Sequence, residues 1–458
     1  MVISPGITFT RKLCAMKSFR LKALLSALAL SLVAGSFFCG ARAGELNPPL
    51  NPPPGIADGP GIWMNLWSYP KGDLDAYCLN LHNHGIRNLF IQTSRSNTES
   101  LRQKEVLGNL IDTCHKYKIR TIAWSFAFLE SPVSDAHKLV DAARFKTPRG
   151  SGFDAVAANL EKDLTASRVE QYSKVLRDEL GQGYPMVAVV FSPLNKAPQV
   201  ARTPWKLLDR YYDVIAPMNY WNSKYKKFDP YQYTMDTVKE VRHLVGRPDV
   251  EVHVIGDGMK TGGDEIKSFM KACMDCGATS ASLYPFHQVT EEQYRTLSFY
   301  SEYFPVNSRY RLAAFKELKS QGAFPRVGLD PSRPISRGEY YQVLAGRLTG
   351  KAALDAPDSE KILSSYGFFT DMPAQSHSLD AAIGHREAYK LAARLVRARS
   401  KAAARGLKID GANPVNLFQG KKRADRWFVQ PASAETTHAR FETLNYLDAA
   451  QIILATSS

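Results

Sequence analysis

Metal-ligand spacing is absent from this chain. Its ten histidines and six cysteines form no His/Cys/carboxylate set at metal-binding intervals, so a metal centre has no support, and no cofactor is expected. His82 and His84 read as a surface pair at a helix end. No Gly-x-Gly-x-x-Gly turn follows the first strand-like segment, which leaves a nucleotide-binding doubly wound sheet without its fingerprint. After position 43 no apolar run is long enough to cross a bilayer. Few cysteines remain after position 43; an oxidising compartment permits disulfides, and Cys78 and Cys114 fall on consecutive helix-like segments and could pair. Cys273-Met-Asp-Cys276 lies within a helical pattern that lacks the context of thioredoxin-type chemistry.

Acidic charge is also scarce, with 44 acidic against 59 basic residues and a formal net charge of +15. Part of this excess is an address. Lys17, Arg20 and Lys22 precede the apolar run Ala23 to Phe38, and Ala41-Arg-Ala43 offers small residues at a signal-peptidase site, so residues 1–43 read as a secretory signal. Removing its six basic and no acidic side chains takes the +15 to +9. Much of the remainder lies between Arg386 and Arg426, which suits contact with an anionic polymer or membrane surface. Export argues against nucleic acid as the partner. Residues 44–60 are a proline-rich spacer in which neither helix nor central strand is expected.

From residue 61 to 305, strand-like and helix-like segments alternate through eight cycles, the pattern of a (β/α)8 barrel. The fourth strand-like stretch, Gly152 to Glu161, organises the functional reading. Two-residue alternation places Ala157, Asn159 and Glu161 on one face, with Glu161 at the C-terminal end where barrels keep their chemistry. A carboxylic acid there, two residues beyond an amide, has the arrangement of a general acid and its helper. Asp257, in Ile255-Gly-Asp-Gly258 at the end of the seventh strand, is the second rim carboxylate. Trp63, Trp67, Trp124, Tyr220, Trp221 and Tyr284 fall in or just beyond predicted strands. Aromatic faces stack on sugar rings while polar groups such as Asn65, Gln92 and Asn219 bind hydroxyls, so a glycan is the expected ligand.

Asp154-x-x-Ala157-x-Asn159-x-Glu161 keeps the register of the Asp-x-x-Asp-x-Asp-x-Glu signature of the chitinase-like family-18 glycoside hydrolases, and Met218-Asn-Tyr220 resembles that family's Met-x-Tyr. The resemblance implies that Glu161 protonates the glycosidic oxygen while Asn159 and Tyr220 orient a substrate acetamido group, with Asp154 the first residue of the motif. The chain departs from the signature at Ala157, at Asn159 and at Trp221, where an acid commonly follows the Tyr. An amide orients by hydrogen bonding but supplies no negative charge to a cyclic intermediate. A second mechanism pairs Glu161 as acid with Asp257 as nucleophile, as in many retaining glycosidases.

Residues 306–458 read as a separate helical domain. Ile335-Ser-Arg-Gly-Glu339, Ile383-Gly-His-Arg-Glu387 and Leu444-Asn-Tyr-Leu-Asp448 align at intervals of 48 and 61 residues, each with a helix-start pattern that is most complete at Ser336 and Glu339. The pattern resembles S-layer homology repeats, which implies attachment to an anionic cell-envelope polysaccharide with Arg337 as the clamp; His385 and Tyr446 occupy the equivalent positions. The expectation is an exported, envelope-attached glycoside hydrolase. The alternative from another class is a catalytically silent barrel that binds carbohydrate or organises the envelope.

Overall fold

The computed structural model describes residues 55–222, 227–259, 261–301, 308–351, 354–370, 378–404 and 444–457. The expected signal, residues 44–54 of the spacer and residues 405–426 of the basic stretch lie outside these. Eight parallel strands close into a barrel in chain order: β1 (Gly61–Met64), β2 (Asn88–Arg95), β3 (Arg120–Ala127), β4 (Ala155–Leu160), β5 (Met186–Phe191), β6 (Val214–Asn219), β7 (His253–Asp257) and β8 (Ser280–Tyr284), with β8 pairing back to β1. The helices of this shell are α1 (Leu74–Asn83), α2 (Lys104–Lys116), α3 (Pro132–Arg144), α4 (Ala166–Leu180), α5 (Trp205–Tyr211), α6 (Pro230–Val245), α7 (Gly263–Asp275) and α8 (Glu291–Tyr300). The expected fold class is the observed one.

Strand alternation divides the apolar residues between two cores. One face of each strand packs on the helices; the other fills the barrel, where Trp63, Phe90, Ile122, Trp124, Val187, Val189 and Ile255 interdigitate with Ala155, Ala157 and Ala216. Trp63 stacks on Phe90 with ring centroids 3.9 Å apart, and Trp124 meets Trp63 edge-on at 5.8 Å. The alanines opposite these rings give the volume that three large side chains need. Between α1 and α2 the Cys78 and Cys114 thiols share a hydrogen bond at 3.6 Å and form no disulfide.

Charged residues at the N-terminal ends of the strands are paired. Asp154, just ahead of β4, bonds His115 at 3.0 Å and accepts the Thr121 N–H at 2.7 Å. Burial pushes its carboxyl up, and these bonds outweigh that, leaving it below the usual carboxylate value. Asp58 and Glu251 receive the Arg309 guanidinium at 2.5 and 2.6 Å. Arg309 opens α9 (Arg309–Ser320), so the following helices attach at the end of the barrel remote from the strand C-termini. Arg311 adds bonds to the Met274 carbonyl and to Asp448.

Past α9 come α10 (Arg337–Thr349), α11 (Ala356–Ser365), α12 (His385–Ala404) and α13 (Tyr446–Ser457), with an apolar core of their own. The three aligned segments meet in a closed cycle. The Ile335 N–H donates to the Leu444 carbonyl (2.8 Å), Leu444 to Ile383 (2.8 Å) and Ile383 to Ile335 (3.0 Å), and all three side chains are fully buried. A second cycle runs around it. Arg337 grips Glu387 at 3.0 Å, His385 lies 3.5 Å from Asp448, and the Tyr446 hydroxyl donates to Glu339, so each aligned segment's third residue reaches the next segment's acid. The helix start at Ser336 has the expected reciprocal bonds with Glu339.

The Arg337 fork, expected to clamp a polymer, is therefore spent on Glu387, which also accepts the Tyr341 hydroxyl at 3.2 Å. Arg337→Ala would strand a largely buried carboxylate. We expect a loss of about 2 kcal/mol of stability, visible as a lowered melting temperature without added ligand, whereas a purely ligand-binding arginine would leave the melt unchanged.

Candidate active site

At the C-terminal ends of the strands the packed interior gives way to polar side chains. On β4 the inward series Ala155, Ala157 continues to Asn159 and, one step past the strand, Glu161. The Asn159 Nδ2 donates to Glu161 Oε1 at 2.8 Å, and the Asn159 Oδ1 is buried without a hydrogen-bond partner among the described residues. Glu161 is half-buried. Burial raises its carboxyl above the usual value, against smaller downward pulls from Asn159 and Arg95.

Tyr220, the inward residue after Met218 on β6, stacks on Tyr284 of β8 with centroids 6.1 Å apart. Burial pushes its phenol well up, and Tyr284, Glu161 and Asp257 add to this, so Tyr220 senses both rim carboxylates. Asp257 follows His253 and Ile255 on the inward face of β7 and pairs in register with Tyr284. It accepts the Met259 N–H at 2.8 Å and is 1% exposed; burial pushes its carboxyl up to about 6. Asn65, beyond β1, bonds the Tyr284 hydroxyl.

Arg95 was not expected at the site. By strict alternation from inward Phe90 it would face the helices. However, the β2–β3 register shifts between Gln92 and Ser94, which sends Ser94 outward to Ser125 and turns Arg95 inward beside Phe126. No residue type in the stretch announces that bulge. The guanidinium lies 5.7 Å from the Trp67 ring centroid, 5.1 Å from Phe126 and 5.7 Å from Phe128.

Chemically, the rim offers two carboxylic acids whose protons are held to higher pH than usual, a phenol pair, two amides and one cation. Glu161 is the more accessible acid and so the better placed proton donor; Asp257 is enclosed and held by backbone donors. The arrangement can support acid-base chemistry beside a polar, aromatic wall.

No family model matches the chain, and no curated protein matches it. Among solved structures it is similar in fold to a family-5 enzyme (GH5_18) from Bifidobacterium longum at 10% identity, covering 54% of this chain and 79% of that one with a TM-score of 0.41. The spore cortex-lytic enzyme SleL of Bacillus cereus aligns at 7% identity over 52% of this chain and 73% of its own, TM-score 0.41. A class V chitinase from Pseudomonas fluorescens Pf-5 aligns at 12% over 53% and 98%, TM-score 0.41. Likeness at this level carries no argument about activity.

The structure brings together Glu161, Asn159, Tyr220, Tyr284 and Asp257, and places the other candidates elsewhere. Trp63 and Trp124 are 2% and 5% exposed pillars of the barrel core, their indole N–H groups bonded to Ser282 Oγ (2.7 Å) and the Met64 carbonyl (3.1 Å). Neither offers a ring face to a sugar. Asn219 and Trp221 flank inward Tyr220 and so point outward. Asn219 bonds Thr234 of α6 at 2.7 Å, and Trp221 packs fully buried against Phe269 of α7. Asp154 sits at the opposite end of β4, bonded to His115. Gln92 is spent on the Leu66 N–H at 3.1 Å. Trp67, 60% exposed, is the one tryptophan of the set open to a ligand.

A buried carboxyl displaced upward disfavours its own ionised form in the folded chain, so Asp257 lowers stability progressively as pH rises from its ordinary 3.8 through about 6. Asp257→Asn, which keeps the acceptor for Met259, should therefore stabilise the protein by on the order of 1 kcal/mol at pH 7.5 and leave it unchanged near pH 3.5. Melting curves of the variant and wild type at those two pH values check this.

Proposed function

We propose that the barrel is a glycoside hydrolase in which Glu161 is the general acid. The observation that carries this is the placement of Glu161: inward-facing at the end of β4, half-buried, raised by that burial, and hydrogen-bonded by Asn159 within the rim. A proton donor for a glycosidic oxygen needs a raised carboxyl and a reachable position; burial raises Glu161, and its half-exposed side chain can be reached from the rim. The free Asn159 Oδ1 is an acceptor for a substrate N–H or O–H, which suits an acetamido group held beside the reacting carbon. Tyr220 and Tyr284 form the wall on which the sugar rests.

Asp257 enters this reading as a buried neighbour that keeps negative charge low beside Glu161, because its proton is retained to about pH 6. As nucleophile it would have to emerge from 1% exposure and surrender its Met259 bond. The reading extends to an exported protein held on an anionic envelope polysaccharide by the helical module, with the sequence pattern of residues 1–43 and the aligned repeats as support.

The second reading, a barrel that binds glycan without cleaving it, is favoured by Ala157. The inner acid of the signature is replaced there by a fully buried methyl beside the Trp124 ring, with no space for a carboxylate and its partner. Reducing-end release from a panel of N-acetylated and other envelope glycans by the full chain decides between them. Glu161→Gln should lower the rate by about 10²–10⁴-fold with little change in binding. Cleavage that persists unchanged in the variant removes Glu161 as the acid, and binding without cleavage across the panel selects the second reading.

A further inference from the structure

Among the described residues Arg95 is an enclosed arginine whose side chain has neither an acid nor a carbonyl partner, whereas Arg242, also without an ion pair, donates to the Cys276 and Gly277 carbonyls at 2.6 and 3.2 Å. Arg309 has Asp58 and Glu251, Arg177 has Asp213 at 3.1 Å, and Arg337 has Glu387. Arg95 makes no ion pair and no side-chain hydrogen bond among the described residues, and its Nε is buried without a partner. Three rings hold the guanidinium in place by their π faces, which fixes its position without using its N–H donors. Its charge acts on both Glu161 and Tyr284.

Glu161 does not fill the vacancy when it is ready to act. A general acid carries its proton and is neutral at that moment, so the competent rim holds an uncompensated positive charge. A second cation reinforces this: the Lys162 ammonium also sits over the Phe128 ring, 4.2 Å from its centroid, and reaches Glu130 only at 3.9 Å. Leaving the donors of a half-buried guanidinium unsatisfied is unfavourable, and a planar two-oxygen anion satisfies them best.

We infer that Arg95, framed by Trp67, Phe126 and Phe128, is an anion subsite, and that the glycan this rim accepts carries a carboxylate on the sugar next to the bond presented to Glu161. This rests on the proposed hydrolase reading for the role of Glu161, while the subsite itself rests on Arg95 alone. The two are linked through charge. In the empty site Arg95 favours ionised Glu161; a substrate carboxylate on Arg95 cancels that pull and keeps Glu161 protonated to higher pH. An acidic glycan thus prepares its own proton donor, and a neutral one does not.

The test uses the full chain and calorimetric titration with hexasaccharides of hyaluronan and of polygalacturonate, each beside its carboxyl-reduced neutral form. At least one acidic form should bind about tenfold or more tightly than its neutral counterpart. Arg95→Gln should erase that preference and Arg95→Lys should retain part of it, with melting curves verifying that both variants fold. In cleavage assays, Arg95→Gln should also move the alkaline limb of the pH profile upward on a neutral substrate. No acid preference in either pair, or a preference that survives intact in Arg95→Gln, overturns the subsite. An Arg95-dependent preference without cleavage of any glycan keeps the subsite and removes the hydrolase, whereas Glu161-dependent cleavage with no acid preference does the reverse.

Discussion

The stacking of Trp63 on Phe90, with Trp124 edge-on beside them, governs what the rest of this barrel does. Three large rings in a closed eight-stranded cylinder leave no interior space at their level, so the facing positions must be small, and Ala155, Ala157 and Ala216 are. The polar residues that alternation sends inward are then lifted to the strand ends. Asn159 and Glu161 on β4, Tyr220 after β6, and the in-register pair Asp257 and Tyr284 on β7 and β8 all lie at the C-terminal ends of their strands. The same packing constrains position 157. Ala157 lies in register with Trp124, and a carboxylate in its place would be dry and unpaired.

Charge is distributed by a related logic. At the N-terminal end of the strands Arg309 pairs with Asp58 and Glu251, His115 pairs with Asp154, and the helical module attaches there. At the open end, Glu161 and Asp257 are both raised chiefly by burial, and Arg95 is held by rings instead of acids. Groups paired within the chain contribute to stability; groups left ready are those that a ligand completes. Placing the attached helices at the N-terminal end of the strands keeps the rim open for such a ligand.

The helical module illustrates how a repeat becomes a unit. Ile335, Ile383 and Leu444 exchange backbone hydrogen bonds in a ring, and Arg337, His385 and Tyr446 each reach the acid of the next repeat. Neither cycle closes within a single repeat. Three different donor chemistries at one aligned position perform the same task, since arginine, histidine and tyrosine can all donate a hydrogen bond to a carboxylate. The pairing also means that any polymer bound at Arg337 competes with Glu387 for the fork.

The order of strands and helices, the closed barrel and the inward path of Ala157, Asn159 and Glu161 were all determined by the sequence, because a period of two is a local property of a strand and needs no knowledge of its neighbours. Alternation would likewise have removed Asn219 and Trp221 from a set containing Tyr220, since three consecutive residues do not share a face. Tertiary structure decided the rest. Whether an inward tryptophan is a sugar platform or a pillar depends on its height in the barrel, which separates Trp67 from Trp63 and Trp124. Arg95 reaches the rim only through a register shift against β3, and Arg337 finds Glu387 only when the repeats close on each other. Those outcomes are set by which partners arrive from distant parts of the chain, and that information resides in no single segment.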